Sequence, residues 1–233
     1  MSRLKFDELV DREFECGVKQ GVLYPIDTNG EYNNGVAWNG LTQVQEKPTG
    51  AEETALYADD IKYLSLYSNE EFEASIEAYT YPDEWKECDG SRTVTSGVTI
   101  GQQTRKKFGM SYRTTLGNYT DGMDHGYKLH LIYGATASPS EKGYETISDS
   151  PDAIKFSWEV KTVPVNVKGY KPTSILTIDS TRCDADKLKT LEDILLGRDE
   201  DTENNVTALT PRLPLPDEVI SIMGGDAVTT TNP

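Results

Sequence analysis

The chain has 233 residues, 23 of them Lys or Arg and 39 Asp or Glu, for a formal net charge of −16. So acidic a chain repels the phosphate backbone, which excludes a general nucleic-acid binder and argues against docking on anionic membranes. Hydrophobic content is only 36%, yet 13 Tyr and many β-branched residues mark a folded chain with a modest core, long enough for one large domain or two small ones.

The start, MSRLKFDELVDREF, is charged and lacks the apolar stretch of a secretory signal; Phe6–Phe14 reads as a short helix or an arm. Gly17–Tyr24 and Val36–Gln45 are candidate strands on either side of the turn-rich residues 25–35. Thr54–Ala58, Ile61–Tyr67 and Phe72–Thr80 follow. In the last, Phe72, Ala74, Ile76, Ala78 and Thr80 alternate with Glu73, Ser75, Glu77 and Tyr79. PDEWKECDG suggests a turn of helix with Pro82 at its first position, and Thr93–Ile100 a further strand. Lys107–Leu116 alternates most clearly, with Phe108, Met110, Tyr112, Thr114 and Leu116 on one face. Tyr127–Tyr133 points Tyr127, Leu129, Leu131 and Tyr133 inward and leaves His130 on a polar face. Ile154–Thr162 and Ser174–Asp179 complete the strands.

Each of these segments has the period of a half-buried strand. Strands with one wet face belong to antiparallel sheets, and about nine or ten of them with few helices predict an antiparallel β-sandwich or barrel. The clearest helix is Ala185–Leu196, with an apolar stripe of Leu188, Leu191, Ile194 and Leu195, an Asp184 cap and a Gly197 stop. It suffices to cover one open sheet face or edge. Residues 197–212 are acidic and poorly periodic, and GGDAVTTTNP reads as a disordered tail. No apolar run approaches a membrane span.

The inventory for catalysis is thin. Cys16, Cys88 and Cys183 are widely spaced and form no metal pattern, so they read as reduced thiols of a protein made in the cytosol; the sequons at Asn118 and Asn205 then carry no meaning. His125 and His130 lack a partnered nucleophile, and no GxSxG, GxxxxGK[ST] or strand-following GxGxxG occurs. Asp27-Thr-Asn29-Gly30-Glu31 opens like a calcium loop, but Tyr32 and Trp38 stand where that loop needs Gly and Glu. Asp121, Asp124 and His125 suit a turn better than a cation site. The pairs Glu52/Glu53, Asp59/Asp60 and Glu70/Glu71 lie in turn-like contexts, without the cleft a glycosidase needs. No catalytic, cofactor or metal residue is assigned, and the chain is not expected to be an enzyme. One acidic feature is organised: Glu71, Glu73 and Glu77 share a strand face, either as an ordinary wet face or as a negative surface that acquires meaning when many copies line a shared space.

Charge is uneven. Residues 44–95 hold 4 basic and 13 acidic residues, net −9, whereas residues 96–171 hold 10 and 7, net +3. Such blocks suit solvated faces or complementary surfaces in a self-associating chain.

The ordered run AWNGL…PTGAEE…LYADDIKYL…EAYTYPDEW…CDG within residues 35–90, then IGQQTRKKFGMSYRTTLGN at 100–118, GYKLHLIYGATASPS, FSWEVKTVPV at 156–165 and the helix at 185–196, resembles the major tail protein (tail tube protein) of long non-contractile-tailed bacteriophages of Gram-positive hosts. The resemblance covers most of the chain. It implies a sandwich-like fold with a flanking helix, of the kind shared by lambda-like tail tubes and type VI secretion tubes. It implies six copies in a ring, rings stacked into a hollow tube around a tape measure protein, contacts at the tube ends with tail terminator and tail-tip proteins, and passage of DNA through the bore without specific binding. The protein would sit in the virion tail after synthesis in the host cytoplasm. On this resemblance the domain spans residues 17–212, with an N-terminal arm at 1–16 and a C-terminal arm or tail at 213–233. Glu71, Glu73 and Glu77 are the expected lumen-lining residues. Residues 40–60, and Glu46, Lys47, Pro48, Thr49 and Gly50 in particular, are the expected loop to a neighbouring ring. The competing reading is a carbohydrate- or ligand-binding β-sandwich, in which Trp38 and Trp85 stack on the ligand; both are equally suited to a core.

Overall fold

A computed structural model describes residues 4, 6, 8, 12–147, 152–201 and 206–225. Strands β1 (Glu13–Pro25), β2 (Val36–Trp38), β3 (Leu41–Gly50), β4 (Glu53–Ala58), β5 (Ile61–Tyr67) and β6 (Glu70–Ala78) come first. Helix α1 (Trp85–Asp89), β7 (Arg92–Thr95), β8 (Val98–Ile100), β9 (Phe108–Asn118), β10 (Gly122–Ala137), β11 (Phe156–Thr162) and β12 (Ile175–Asp179) follow, then helices α2 (Ala185–Leu196) and α3 (Pro216–Ile222). The fold is all-β: the main sheet runs β2-β1-β9-β10-β11-β6-β3, with β12 beside β10, and β4-β5 and β7-β8 form separate hairpins. Every strand pairing among them is antiparallel. No helix among the described residues is long and apolar enough to cross a membrane.

Strand β10 organises the sheet. One edge pairs with β9, while the other pairs with β12 over Lys128–Ile132 and with β11 over Ala135–Ala137. The change of partner falls at Gly134, whose φ is +62°. A Cβ there would run into the Val163 carbonyl, and the Gly134 N–H donates to the Tyr32 hydroxyl at 2.9 Å. Only glycine meets both conditions. Beyond the kink, β11, β6 and β3 pack over β1, β9 and β10.

The central strands are therefore buried on both faces. On one face Leu23, Trp38, Ile76, Trp85, Phe108, Met110, Ile132, Trp158 and Val160 form the first core. Its centre is aromatic, with Trp38 4.6 Å and Trp158 5.3 Å from Trp85 between ring centroids. On the other face Val22, Tyr24, Leu129, Leu131 and Tyr133 meet Leu188, Leu191 and Leu195 of α2 and Leu213 and Val219 near α3. Gly109 and Ser111, the small residues of β9, open room for this second layer; Ser111 Oγ lies 3.1 Å from the Tyr24 hydroxyl, which donates to the Leu195 carbonyl at 2.8 Å. Arg113 fastens α2 to the sheet: it reaches Glu192 at 2.6 Å and lies over the Tyr127 ring, while the Tyr127 hydroxyl donates to the same carboxylate.

Several expectations change. One wet face describes β6 and β11 but not β9 and β10, because α2 and α3 cover the second side. His130 is 8% exposed and lies on the Tyr112 side of the sheet, not on a polar face. Trp38 and Trp85 are 3% and 0% exposed, so neither is available to stack on a ligand. Val36–Gln45 is two strands broken at the Asn39–Gly40 turn. The helical turn after Pro82 starts later, at Trp85. The expected arms are shorter: Glu13–Cys16 pair with β9, and Leu213 together with α3 folds onto α2. Most of residues 1–11, Asn205 and residues 226–233 of the expected tail lie outside the described residues. Ile61–Tyr67 and Ala185–Leu196 stand at their expected bounds, and Asp184 caps α2 by accepting from the Asp186 and Lys187 N–H groups at 3.1 and 3.0 Å.

Gly134→Ala should cost about 2–4 kcal/mol from the forced φ and the clash, lowering Tm by roughly 5–15 °C in a thermal melt. The same change at Gly143, where nothing lies within 4 Å of the added methyl, should leave Tm within a degree or two.

Candidate assembly interface

The outer face of β3, β6 and β11 carries the residues first expected at a bore. Register places Glu71 beside Thr49, Glu73 between Lys47 and Lys161, and Glu77 between Gln43 and Ser157. Glu73 reaches Lys161 at 3.3 Å, Glu77 reaches Lys155 at 3.8 Å, and Lys47 reaches Glu159 at 2.9 Å. Glu71, Glu73 and Glu77 do share a face, but interleaved lysines offset most of their charge. Four carboxylates against three ammonium groups leave one excess negative charge on this face.

Glu46, Lys47, Pro48, Thr49 and Gly50 are not a loop. All five lie in β3, paired with Glu70–Ala74 of β6. Lys47 and Thr49 face outward; Glu46 and Pro48 take the opposite side, toward the first core. Period-2 alternation continues straight through Pro48, which is tolerated because β3 is the edge of the sheet.

What projects is the next segment. Gly50, at φ +82°, and Ala51, at φ +53°, kink the chain, and the ladder resumes with Ser68 N–H donating to the Glu52 carbonyl at 3.0 Å. Beyond the kink, β4 and β5 pair only with each other. The Asp59–Asp60 turn, with φ of +51° and +63°, closes the hairpin. Register puts Thr54, Leu56 and Ala58 on one face with Leu66, Leu64 and Ile61. This aliphatic face is bare: Leu56 is 41%, Leu64 39%, Leu66 53% and Ile61 67% exposed. Glu53, Lys62 and Ser65 knit the other face together by polar contacts. A two-stranded hairpin with an uncovered apolar face is marginal in water and calls for a partner surface.

The root of this projection is tied down by a polar cluster that sequence reading missed. The His130 ring stacks on Tyr112 at 4.7 Å between centroids, with an interplanar angle of 1°. Its Nδ1 stands 3.4 Å from Glu46 Oε1, without hydrogen-bond geometry, and the Tyr112 hydroxyl donates to the same oxygen at 2.7 Å. Thr114 has one hydroxyl proton, and Glu15 Oε1, 2.5 Å away, can only accept it. His130 Nε2, 3.0 Å from that hydroxyl, must then donate to it. Lys128 reaches Glu15 at 2.5 Å. Four strands, β1, β3, β9 and β10, meet here. The contact with His130 holds the Glu46 carboxyl below the usual carboxylate range, against the opposing effect of burial. At Glu15 burial pushes the carboxyl up, but Lys128, Thr114 and His130 together outweigh it and bring it below its ordinary value.

Other candidate groups have local roles. Asp27 accepts from the Asn29 and Glu31 N–H groups at 2.8 and 2.9 Å, so its carboxylate closes its own turn. Asn118 likewise caps the Asp121 turn at 2.6 Å, and His125 Nδ1 lies 2.9 Å from the Asn118 amide. Cys88 is sealed against Trp85, and burial pushes its thiol up to about 12, which keeps it protonated and inert at neutral pH.

Both lowered carboxyls stabilise the fold fully above their ordinary value of 4.5, and that contribution is lost as pH falls through their lower folded values. Glu46→Gln should therefore lower Tm by roughly 2–4 °C at pH 7, with the gap to wild type closing as pH falls below 4.5 through the lowered folded value. No protein-family model matches this chain, and no curated protein matches it.

Proposed function

We propose that this chain is the structural subunit of a phage tail tube: six copies close into a ring, and rings stack into the tube that encloses the tape measure protein and later conducts DNA during ejection. Tail terminator and tail-tip proteins would cap its ends, and the protein would reside in the virion tail. In this reading the chain is not an enzyme and acts by shape.

The observation that carries the reading is the bare aliphatic face of the β4–β5 hairpin, an arm that contributes nothing to either core. The ordered similarity of the sequence to tail tube proteins supports it independently. So does β3, an edge strand of ten residues whose outer ladder is open to a strand of another copy. An edge-to-edge contact that uses different patches on each copy closes into rings, and a projecting arm that meets a different patch stacks them. The β3–β6–β11 face is the candidate bore lining, with Glu71, Glu73 and Glu77 alternating with lysines. Such a face repels DNA weakly and offers no unbalanced positive stripe to hold it.

Negative-stain microscopy of the purified protein at high concentration should show stacked rings or tubes. A persistent monomer that binds glycans would overturn the reading. Deleting residues 53–67 leaves Ala51, Glu52, Ser68 and Asn69 as a four-residue turn between β3 and β6. That variant should keep an all-β circular dichroism spectrum, reduced by the 13 strand residues of β4 and β5, and the wild-type melt, yet form no tubes.

A further inference from the structure

Beside helix α1 lies a polar cavity of about 400 Å³, lined among others by Ser91, Arg92, Gln103 and Arg105 together with Glu87 and Lys106. Glu87 and Lys106 pair with each other at 3.4 Å. Among the described residues neither Arg92 nor Arg105 has a carboxylate within ion-pair distance. Arg105 packs against Gly90 at the end of α1, and its Nε is buried without a hydrogen-bond partner. Two guanidinium groups without a carboxylate partner share this concavity, and each fork can take a carboxylate in bidentate fashion.

The chain carries a matching convex element. Asp59 and Asp60 form the hairpin turn, both exposed, and no hydrogen bond or ion pair engages either carboxylate among the described residues. The turn stands at the end of strands six and seven residues long, about 20 Å beyond the kink at Gly50. It is therefore the part of the arm that meets a neighbour first.

We propose that the Asp59–Asp60 turn of one copy docks into the Arg92–Arg105 cavity of another. The proposal rests on the self-assembly reading above and names the contact that would carry it. The adjoining cavity, about 470 Å³, shares Glu87, Arg92 and Lys106 with the first but adds three carboxylates, Asp27, Asp83 and Glu84, against one ammonium, Lys86, and lacks Arg105. Lys86 is taken by Asp83 at 2.7 Å, so that side disfavours an acidic tip and fixes its seat on the arginine side. Each copy gives one turn and receives one, a head-to-tail contact that continues along an axis.

The test is a charge swap read by sedimentation velocity and negative stain at matched protein and salt concentrations. Asp59→Asn with Asp60→Asn keeps residues that tolerate positive φ and removes both charges. Arg92→Glu with Arg105→Glu reverses the cavity, and Arg92→Glu alone makes the same test at an exposed position in case the double change disturbs the fold. Each double variant, and Arg92→Glu alone, should raise the concentration needed for polymerisation by at least about thirtyfold, the aspartate pair and Arg92→Glu with an unchanged melt. A chain carrying Asp59→Lys, Asp60→Lys, Arg92→Glu and Arg105→Glu together should recover most of that loss. Polymerisation of the double variants at the wild-type concentration overturns the proposal, as does no recovery in the swapped chain. Wild-type protein that never polymerises overturns the assembly reading along with it, which separates the two failures.

Discussion

Strand β10 hydrogen-bonds to β9 along one edge and divides its other edge between β12 and β11. That division requires the backbone to bend at Gly134, in a φ range that a side chain resists and at a spot where the Val163 carbonyl leaves no room for one. Both cores follow from it. Where the sheet turns, its far strands come round to enclose the tryptophan cluster. The opposite face of the unbent part stays open and needs the helices. A chain with only 36% hydrophobic residues can afford two cores because one set of strands serves both.

Polar groups hold the periphery of this arrangement in register. Arg113, Tyr127 and Glu192 join α2 to the sheet from a position 14–20% exposed, where screening is weak and a satisfied triad fixes the helix along its axis. The His130 cluster does the same on the opposite face at the same level of the sheet, collecting one side chain or more from each of four strands. Neither cluster adds much hydrophobic burial. Their effect is to exclude other registers, because an ion left unpaired there is worse than none. The arm beyond Gly50 begins where this bracing ends.

Elements with strong local signals were legible in the sequence. Ala185–Leu196 carries its own cap, stripe and stop, and Ile61–Tyr67 has turn residues at both ends. The alternation of Phe108, Met110 and Tyr112 named the correct inward face of β9. What alternation cannot tell is whether the opposite face is wet: Gly109 and Ser111 look polar but are small, and smallness lets Tyr24 and Leu213 pack there. The Asn39–Gly40 turn is a hairpin signal set between Val36–Trp38 and Leu41–Gln45, whose strand-forming residues run on across it. Of the interface, the acidic face of β6 was legible, but its lysines come from β3 and the β11 segment and become visible only with register. Pro48 and Gly50 suggested a loop where the fold places an edge strand, so the projecting arm was expected some residues too early. His130 meeting Glu46 and Glu15 is a contact across 84 and 115 positions of chain, beyond any local pattern.

The separation between braced sheet and free arm also governs how the sequence can change over time. Leu56, Ile61, Leu64 and Leu66 touch neither core, so substitutions there leave the free fold as stable as before. On the proposed assembly, selection on those four positions acts chiefly through neighbouring copies. Drift in the arm of one lineage is then answered by drift in the surface that receives it, and two diverged versions would fold equally well yet refuse to mix.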